Sequence, residues 1–79
     1  MLTPELQKRL DDIIGQYRVM LFMKGTPEEP ACGFSASAAG MLVESDIYFE
    51  SFDIYSDEEV RQGLKLYKSW PTYPQLYID

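Results

Sequence analysis

Apolar residues follow two different spacings along this chain, one typical of helices and one typical of strands. The changes between them mark the predicted elements. Near the N-terminus, apolar residues recur at helical spacing and predict a helix over about residues 4–16. The apolar residues with this spacing are Leu6, Leu10, Ile13, Ile14 and Tyr17. Thr3 and Pro4 have the residue types of an N-cap and a first helical position. The next apolar run, Val19–Met23, is short and continuous, which is typical of a strand covered on both faces.

The rest of the chain repeats the order helix then strand. Small, helix-tolerant residues predict a second helix over about 34–45, and alternation predicts a second strand over 48–52. Ser56 and Glu59 have the spacing of a capping box, so we expect a third helix with Ser56 as its N-cap. Two prolines end that helix, and 75–78 is predicted to be a third strand. The apolar face of the third helix consists of Val60, Leu64 and Tyr67.

This alternation predicts the α/β class, with helices on the faces of a sheet. The chain has 79 residues and contains no internal repeat, linker or low-complexity segment, so residues 1–79 are expected to form a single domain. In such sheets, functional sites collect where strand ends meet helix starts.

The single cysteine lies at one of these junctions. Cys32 follows the loop after the first strand and precedes the second helix. Free N–H groups at a helix start favour a thiolate, and Gly33 permits close backbone approach beside it. Ser35 stands where a dithiol protein has its second cysteine, and it is also a candidate cap for this helix. The residues alone leave an alternative open, because a lone cysteine is most often a small buried apolar side chain.

Composition excludes several kinds of chemistry. The hydrophobic fraction of 46% indicates a folded core, and the absence of histidine excludes histidine bases and histidine metal ligands. One cysteine excludes a disulfide framework and a cysteine-only zinc site. A free thiol is compatible with a reducing compartment, and we expect a cytoplasmic or also nuclear location.

Charge narrows the choice of partners. The net charge is −6, whereas a nucleic-acid-binding protein needs a basic stripe. No apolar run approaches the roughly 20 residues of a membrane span, and no signal peptide is visible. We therefore expect neither a nucleic acid nor a membrane as partner. Four cations are expected to be ordinary solvated helix positions: Lys8, Arg9, Lys65 and Lys68.

Three sequence motifs in combination resemble the monothiol glutaredoxins of the CGFS type. The motifs are Lys24-Gly25, Pro30-Ala31-Cys32-Gly33-Phe34-Ser35 and Trp70-Pro71-Thr72-Tyr73-Pro74-Gln75-Leu76-Tyr77. The resemblance covers about residues 19–79, and the stretch 57–65 is similar to the glutaredoxin domains of multidomain PICOT-type proteins. It implies a thioredoxin-like fold with a mixed central sheet flanked by helices.

The resemblance implies glutathione-dependent binding of a 2Fe-2S cluster, with a role in cluster transfer or iron sensing. Family members typically hold the cluster between two chains, and two glutathione thiols complete the ligands. A cluster of this kind usually takes four thiolates, and this chain offers only Cys32. The implied partners are glutathione and a second chain, in a cluster-bridged homodimer or in a heterodimer with another iron–sulfur protein.

The resemblance also implies which residues contact glutathione. Lys24 and Arg61 match the family's cations for its glycyl carboxylate, although without the resemblance both are ordinary surface cations. Tyr73 precedes Pro74, which is cis in this fold, and its backbone N–H and C=O would pair with the cysteine of glutathione. Trp70 and Tyr77 are expected to be packing residues. The other implied cofactor-binding residues are Cys32, Gly33, Phe34 and Thr72, and Cys32 is also the implied catalytic and metal-ligating residue.

The sequence departs from the family's pattern in two places. Family members continue into another strand, a Gly-Gly turn and an acidic helix start, which bind the γ-glutamyl end of glutathione. This sequence ends at Asp79, so we expect a C-terminally incomplete domain, truncated before the last strand and the C-terminal helices, with its third strand as an exposed edge. Ala36 and Ser37 stand where relatives often have a basic or polar residue, which weakens the cationic field around the thiol.

Two other functions remain open at this point. One is a monothiol glutathione-disulfide oxidoreductase of at most weak activity, in which Cys32 attacks glutathione mixed disulfides and a second glutathione resolves the adduct. The other is a noncatalytic interaction domain of a larger protein.

Overall fold

A computed structural model describes residues 2–79. In chain order the elements are α1 Pro4–Gly15, β1 Val19–Met23, α2 Gly33–Glu44, β2 Glu50–Asp53, a 3₁₀ turn Ile54–Ser56, α3 Glu58–Tyr67 and β3 Gln75–Ile78. The strand order in the sheet is β2-β1-β3, with β1 parallel to β2 and antiparallel to β3. The predicted α/β class and mixed sheet are confirmed.

The central strand β1 separates two apolar layers. Its residues Met20 and Phe22 belong to the layer of α1 and α3, whereas Leu21 and Met23 belong to the layer of α2. All four are buried, so the prediction of a strand covered on both faces is confirmed. The first layer also contains Leu10, Ile54, Val60, Leu64 and Tyr73, and the second contains Ala39 and Leu42.

A charged contact joins α1 to the start of α3. Arg9 pairs with Asp57 and with Glu59 at nitrogen–oxygen distances of 2.6 and 2.9 Å. Arg9 is exposed, as predicted, and packing of the two helices also brings it to the acidic first turn of α3. Lys8 and Lys68 are exposed, as predicted.

Two element boundaries differ from the prediction. Asp57, not Ser56, is the N-cap of α3, because its Oδ1 accepts a backbone N–H of the first turn at 3.1 Å. The Ser56 hydroxyl instead donates to the carbonyl of Asp53 at 2.6 Å, within the 3₁₀ turn that the sequence pattern did not reveal. β2 begins at Glu50 rather than at 48, since its pairing with β1 begins there.

The strand β3 lies at one edge of the sheet, as expected from its place in the chain. Leu76 and Ile78 on this strand are exposed. None of the helices formed by residues 2–79 combines the length and the apolar character that crossing a bilayer requires.

Candidate functional site

Cys32 is the N-cap residue of α2. Its backbone is extended, and its Sγ accepts the backbone N–H of Ser35 at 3.4 Å. The side chain is half-buried. The loop after β1 returns to this point because the N–H of Ala31 donates to the carbonyl of Lys24 at 2.8 Å. The end of β1 therefore lies beside the thiol at the start of α2.

The hydroxyl of Ser35 links this thiol to Lys24. Ser35 is fully buried, and its Oγ accepts the backbone N–H of Lys24 at 3.0 Å while lying 3.4 Å from the Sγ of Cys32. The prediction that Ser35 caps the helix is wrong, because the sulfur of Cys32 has that role. The hydroxyl and backbone hydrogen bonds of Ser35 lower the pKa of the Cys32 thiol, with smaller contributions from the N–H of Phe34 and the charge of Lys24.

The turn after Lys24 depends on a glycine and on a carboxylate from β2. Gly25 has a φ of +89°, and a Cβ there would lie 2.5 Å from the carbonyl oxygen of Glu29. The N–H of Gly25 donates to Oδ1 of Asp53 at 3.0 Å, and the same oxygen accepts the N–H of Tyr55 at 2.9 Å. Sequence reasoning missed Asp53 as a positioning residue. An available signal was its place at the end of the strand that precedes the third helix.

Two depressions that share Lys24, Thr72 and Tyr73 collect most of the predicted binding residues. The smaller has a volume of about 100 Å³ and is lined by Lys24, Arg61, Lys65, Pro71, Thr72 and Tyr73. Half of these side chains are cationic, although acidic residues outnumber basic ones, 13 to 7, in the whole chain. The cavity is therefore locally cationic, although the protein as a whole is negatively charged.

Arg61 and Lys65 reach this cavity from neighbouring turns of α3. The Nη1 of Arg61 pairs with Glu58 at 3.1 Å, but its Nε is buried and donates to no acceptor among the described residues. Lys65 is half-buried rather than freely solvated, so the prediction for Lys65 is wrong. Its position four residues after Arg61 was the signal that places both on one helix face.

The larger depression is a groove of about 620 Å³ along α2. It is lined by Lys24, Phe34, Ser37, Ala38, Met41, Trp70, Thr72, Tyr73 and Pro74. Trp70 is 56% exposed, so it is a wall of the groove rather than a packing residue of the core. Tyr77 is a packing residue, as predicted: it is partly buried and packs against the core, edge-on to Phe22 with ring centroids 5.6 Å apart. Among the residues that the structure describes, Cys32 and Gly33 lie at the start of α2 and outside both linings.

The loop between α3 and β3 is anchored through Tyr73. The Tyr73–Pro74 peptide bond is cis, as the resemblance implied. The Tyr73 side chain is buried, and its hydroxyl donates to the carbonyl of Arg61 at 2.7 Å. Burial raises the pKa of this phenol to about 12, so it remains a neutral donor at physiological pH. The loop and α3 are therefore joined beside the cationic cavity.

Comparisons with known proteins converge on one family. A sequence profile described as Glutaredoxin matches residues 19–79. The chain is 58% identical over 78 residues to Glutaredoxin-3 of Homo sapiens, an alignment that covers 99% of the chain and 23% of that protein. It is 51% identical to Monothiol glutaredoxin-S7, chloroplastic, of Oryza sativa subsp. japonica, over 99% of the chain and 46% of that protein. The chain thus spans less than half the length of these two curated relatives.

Solved structures give the same answer for the fold. The solution structure of reduced poplar apo GrxS14 superposes with a TM-score of 0.78 at 51% identity, over 98% of this chain and 71% of that chain. A solution structure of a monomeric truncated mutant of Trypanosoma brucei 1-C-Grx1 superposes with a TM-score of 0.79 at 36% identity, over 99% and 67% of the two chains.

Proposed function

The chain belongs to the glutaredoxin family, as a monothiol member with the thioredoxin-like fold, and from this premise we propose that it binds glutathione beside Cys32. The observation that carries this proposal is the small cavity lined by Lys24, Arg61 and Lys65. Glutathione brings two carboxylates, and a carboxylate is the partner that such a cluster of cations favours. Among the described residues the buried Nε of Arg61 has no acceptor, so the guanidinium keeps an unused donor beside this cavity.

The loop before β3 supplies the second half of the proposed site. Thr72 and Tyr73 line both depressions, and Pro74 lines the larger one. We propose that backbone groups of Tyr73 pair with the cysteine of glutathione, as an extended peptide pairs with an exposed backbone segment. The thiol of glutathione would then lie toward Cys32, with Gly33 and Phe34 beside it. The 80% exposure of Phe34 makes its ring available as a wall for the ligand.

We further propose that Cys32 and glutathione hold a 2Fe-2S cluster as cargo between two chains. Among residues 2–79 there is no group of three or more cysteine, aspartate or glutamate side chains arranged to hold a metal ion. One sulfur per chain fits a shared cluster, because two chains and two glutathione thiols supply four thiolates. A cluster bound in this way would be a cargo of iron and sulfide for transfer to another protein. Its occupancy would also depend on the supply of iron, which is the basis of iron sensing. The residues of this chain contribute a thiolate that Ser35 and Lys24 favour.

Anaerobic reconstitution tests this proposal. The full chain is incubated with glutathione, ferric iron and sulfide, and we expect visible charge-transfer absorption together with a dimeric mass. The variant Cys32→Ser should remain colourless and monomeric, whereas Ser45→Ala, at the exposed C-cap of the same helix and outside both depressions, should behave as the unmodified chain. A colourless monomer from the unmodified chain, or an equally coloured Cys32→Ser protein, would contradict the proposal.

A second candidate function is favoured by the accessibility of the thiol. Cys32 is half-buried, and its pKa is lowered, so a thiolate can attack the glutathione sulfur of a mixed disulfide. The attack forms a disulfide between Cys32 and glutathione and releases the substrate as a thiolate. A second glutathione thiolate then forms oxidised glutathione and regenerates Cys32. Turnover of a glutathione mixed disulfide by a colourless protein would favour this oxidoreductase function.

The same measurements also identify the third candidate function, a noncatalytic interaction domain. Partner binding that survives Cys32→Ser, without colour or turnover, would indicate a noncatalytic interaction domain. We propose the cytoplasm, also with the nucleus, as the location, because a lone free thiol is compatible with a reducing compartment.

A further inference from the structure

Gln75 is a buried polar side chain whose amide is fully engaged in hydrogen bonds. It begins β3, pairs in register with Phe22 of β1, and is 5% exposed. Its Nε2 donates to the carbonyls of Trp70 at 2.8 Å and Thr72 at 3.2 Å. Its Oε1 accepts the hydroxyl of Tyr77 at 2.7 Å. Both protons of the amide are therefore used on the loop that precedes β3.

These hydrogen bonds determine how one peptide unit of the loop is oriented. The C=O of Thr72 and the N–H of Tyr73 belong to the same trans peptide, and in a planar trans peptide these two groups point in opposite directions. Because the carbonyl points toward Gln75, the N–H of Tyr73 points away from it. Thr72 and Tyr73 line the two depressions at Lys24, whereas Gln75 lines a groove on the β3 side whose lining includes neither Thr72 nor Tyr73.

We propose that Gln75 is a positioning residue for glutathione binding, because it holds the Thr72–Tyr73 peptide with the N–H of Tyr73 directed away from the interior and available to glutathione. This inference rests on the proposed glutathione function. With the amide donors removed, the peptide can turn and direct the carbonyl oxygen of Thr72 toward the ligand. A carbonyl oxygen in that place repels the carbonyl of glutathione that the N–H would bind.

Two variants of Gln75 test this role in the full chain. Gln75→Met retains an unbranched side chain and removes both donors, whereas Gln75→Glu retains the acceptor for Tyr77 and places an oxygen where the donors were. We expect reduced glutathione to bind Gln75→Met about fivefold to tenfold more weakly, as measured by titration calorimetry. Tyr67→Phe is the matched control, because it removes a tyrosine hydroxyl that contacts Asp11 on α1, and its affinity should change by less than about twofold.

The pH profile of Gln75→Glu separates positioning from a general structural defect. At a pH high enough to ionise its carboxyl, the glutamate has no proton to donate, so we expect binding at least as weak as in Gln75→Met. When the carboxyl is protonated at lower pH it can donate to one loop carbonyl, and the affinity relative to the unmodified chain at the same pH should partly recover. A defect in packing alone would not recover on acidification.

A second readout does not require any ligand. The amide NMR signal of Tyr73 should shift in glutathione-free Gln75→Met, while the signals of β1 remain in place. A folded Gln75→Met protein with unchanged glutathione affinity and an unchanged Tyr73 amide would overturn the proposal.

If Gln75→Met does not fold, Tyr77→Phe decides instead, because it removes the hydroxyl that orients the amide. Tyr77→Phe should shift the Tyr73 amide and weaken binding about twofold, and no change in either would overturn the proposal. Absence of binding by the unmodified chain would instead refute the glutathione function, and the Tyr73 amide would still test the orientation.

Discussion

The hydroxyl of Tyr73 donates a hydrogen bond to the backbone carbonyl of Arg61 at 2.7 Å, across 12 positions of sequence. This contact joins the loop before β3 to α3. The two elements proposed to hold glutathione, the backbone of the loop and the guanidinium on the helix, are thereby held at a defined separation. The side chain of Tyr73 thus contributes to the site through another residue, while its backbone is proposed to contact the ligand.

Removal of that single hydroxyl should weaken both stability and ligand binding. Tyr73→Phe retains the buried ring and loses the bond to Arg61, so the free energy of unfolding should fall by about 1 kcal/mol. We expect glutathione affinity to fall several-fold, because the loop and α3 are no longer tied. Urea unfolding and titration calorimetry measure the two effects. Tyr55→Phe, at a tyrosine that is 57% exposed, is the control, and equal affinities of the two variants would contradict the coupling.

The cationic cavity should be sensitive to the loss of one particular arginine. Arg61→Gln removes a positive charge from the cavity, and we expect glutathione to bind about tenfold more weakly, since hydrogen bonds to charged groups contribute about 1.5–3 kcal/mol. Loss of its exposed pair with Glu58 should have little effect on stability. Arg18→Gln makes the same change of charge at an exposed position outside the cavity. Similar losses in both variants would indicate a long-range charge effect rather than a binding site.

The thiol of Cys32 should titrate below the ordinary range of a cysteine, and Ser35 should be the principal cause. Its hydrogen bonds favour the thiolate and lower the pKa of Cys32. As the solution is acidified, the rate of alkylation by iodoacetamide should therefore fall at a lower pH than it does for a cysteine with the ordinary pKa. In Ser35→Ala the fall should begin at higher pH. Ser45→Ala, at the other end of the same helix, should leave the profile unchanged, and a Ser35→Ala profile equal to that of the unmodified chain would refute the assignment.

Asp57 should link stability to pH through its pairing with Arg9. The hydrogen bond from Arg9 is the largest of the contributions that hold the pKa of Asp57 below its ordinary value of 3.8 in the folded protein. A depressed folded pKa stabilises the protein above the pKa of the unfolded chain, and this contribution is lost as pH falls through the folded pKa. Asp57→Asn keeps a good N-cap and loses the charge, so its cost at pH 7 should be under about 1 kcal/mol.

A second variant of Asp57 separates the contribution of the N-cap to stability from that of the ion pair. Asp57→Ala loses both and should cost about 1–2 kcal/mol at pH 7. Urea unfolding from pH 7 down to pH 2 should show the gap between the unmodified chain and Asp57→Asn closing below pH 4, while the gap to Asp57→Ala persists. A constant gap for Asp57→Asn would show that the charge of Asp57 makes no contribution.

Local sequence patterns were sufficient for the elements and for the reactive group. The apolar run of β1 predicted a strand buried on both faces, and Thr3 caps α1 as expected, with its Oγ1 accepting the N–H of Leu6 at 3.1 Å. Both features depend on neighbours in the chain. The cap of α3 shows where this approach ends, because Ser56 and Asp57 are both good cap residues. The 3₁₀ turn, in which Asp53 binds the hydroxyl of Ser56, decides between them.

By itself, then, the sequence determined the alternation of elements, the placement of one thiol at a helix start and the family to which those motifs belong. Only the tertiary structure decided which cations share a cavity, that Ser35 reaches back to Lys24, and that Gln75 orients the loop before β3. The physical reason is that helix starts and strand patterns arise from contacts between near neighbours, whereas these three arrangements depend on packing. Side-chain burial and peptide direction at the site follow from how α2, α3 and β3 are brought together around β1. The spacing of apolar residues along the chain predicts neither.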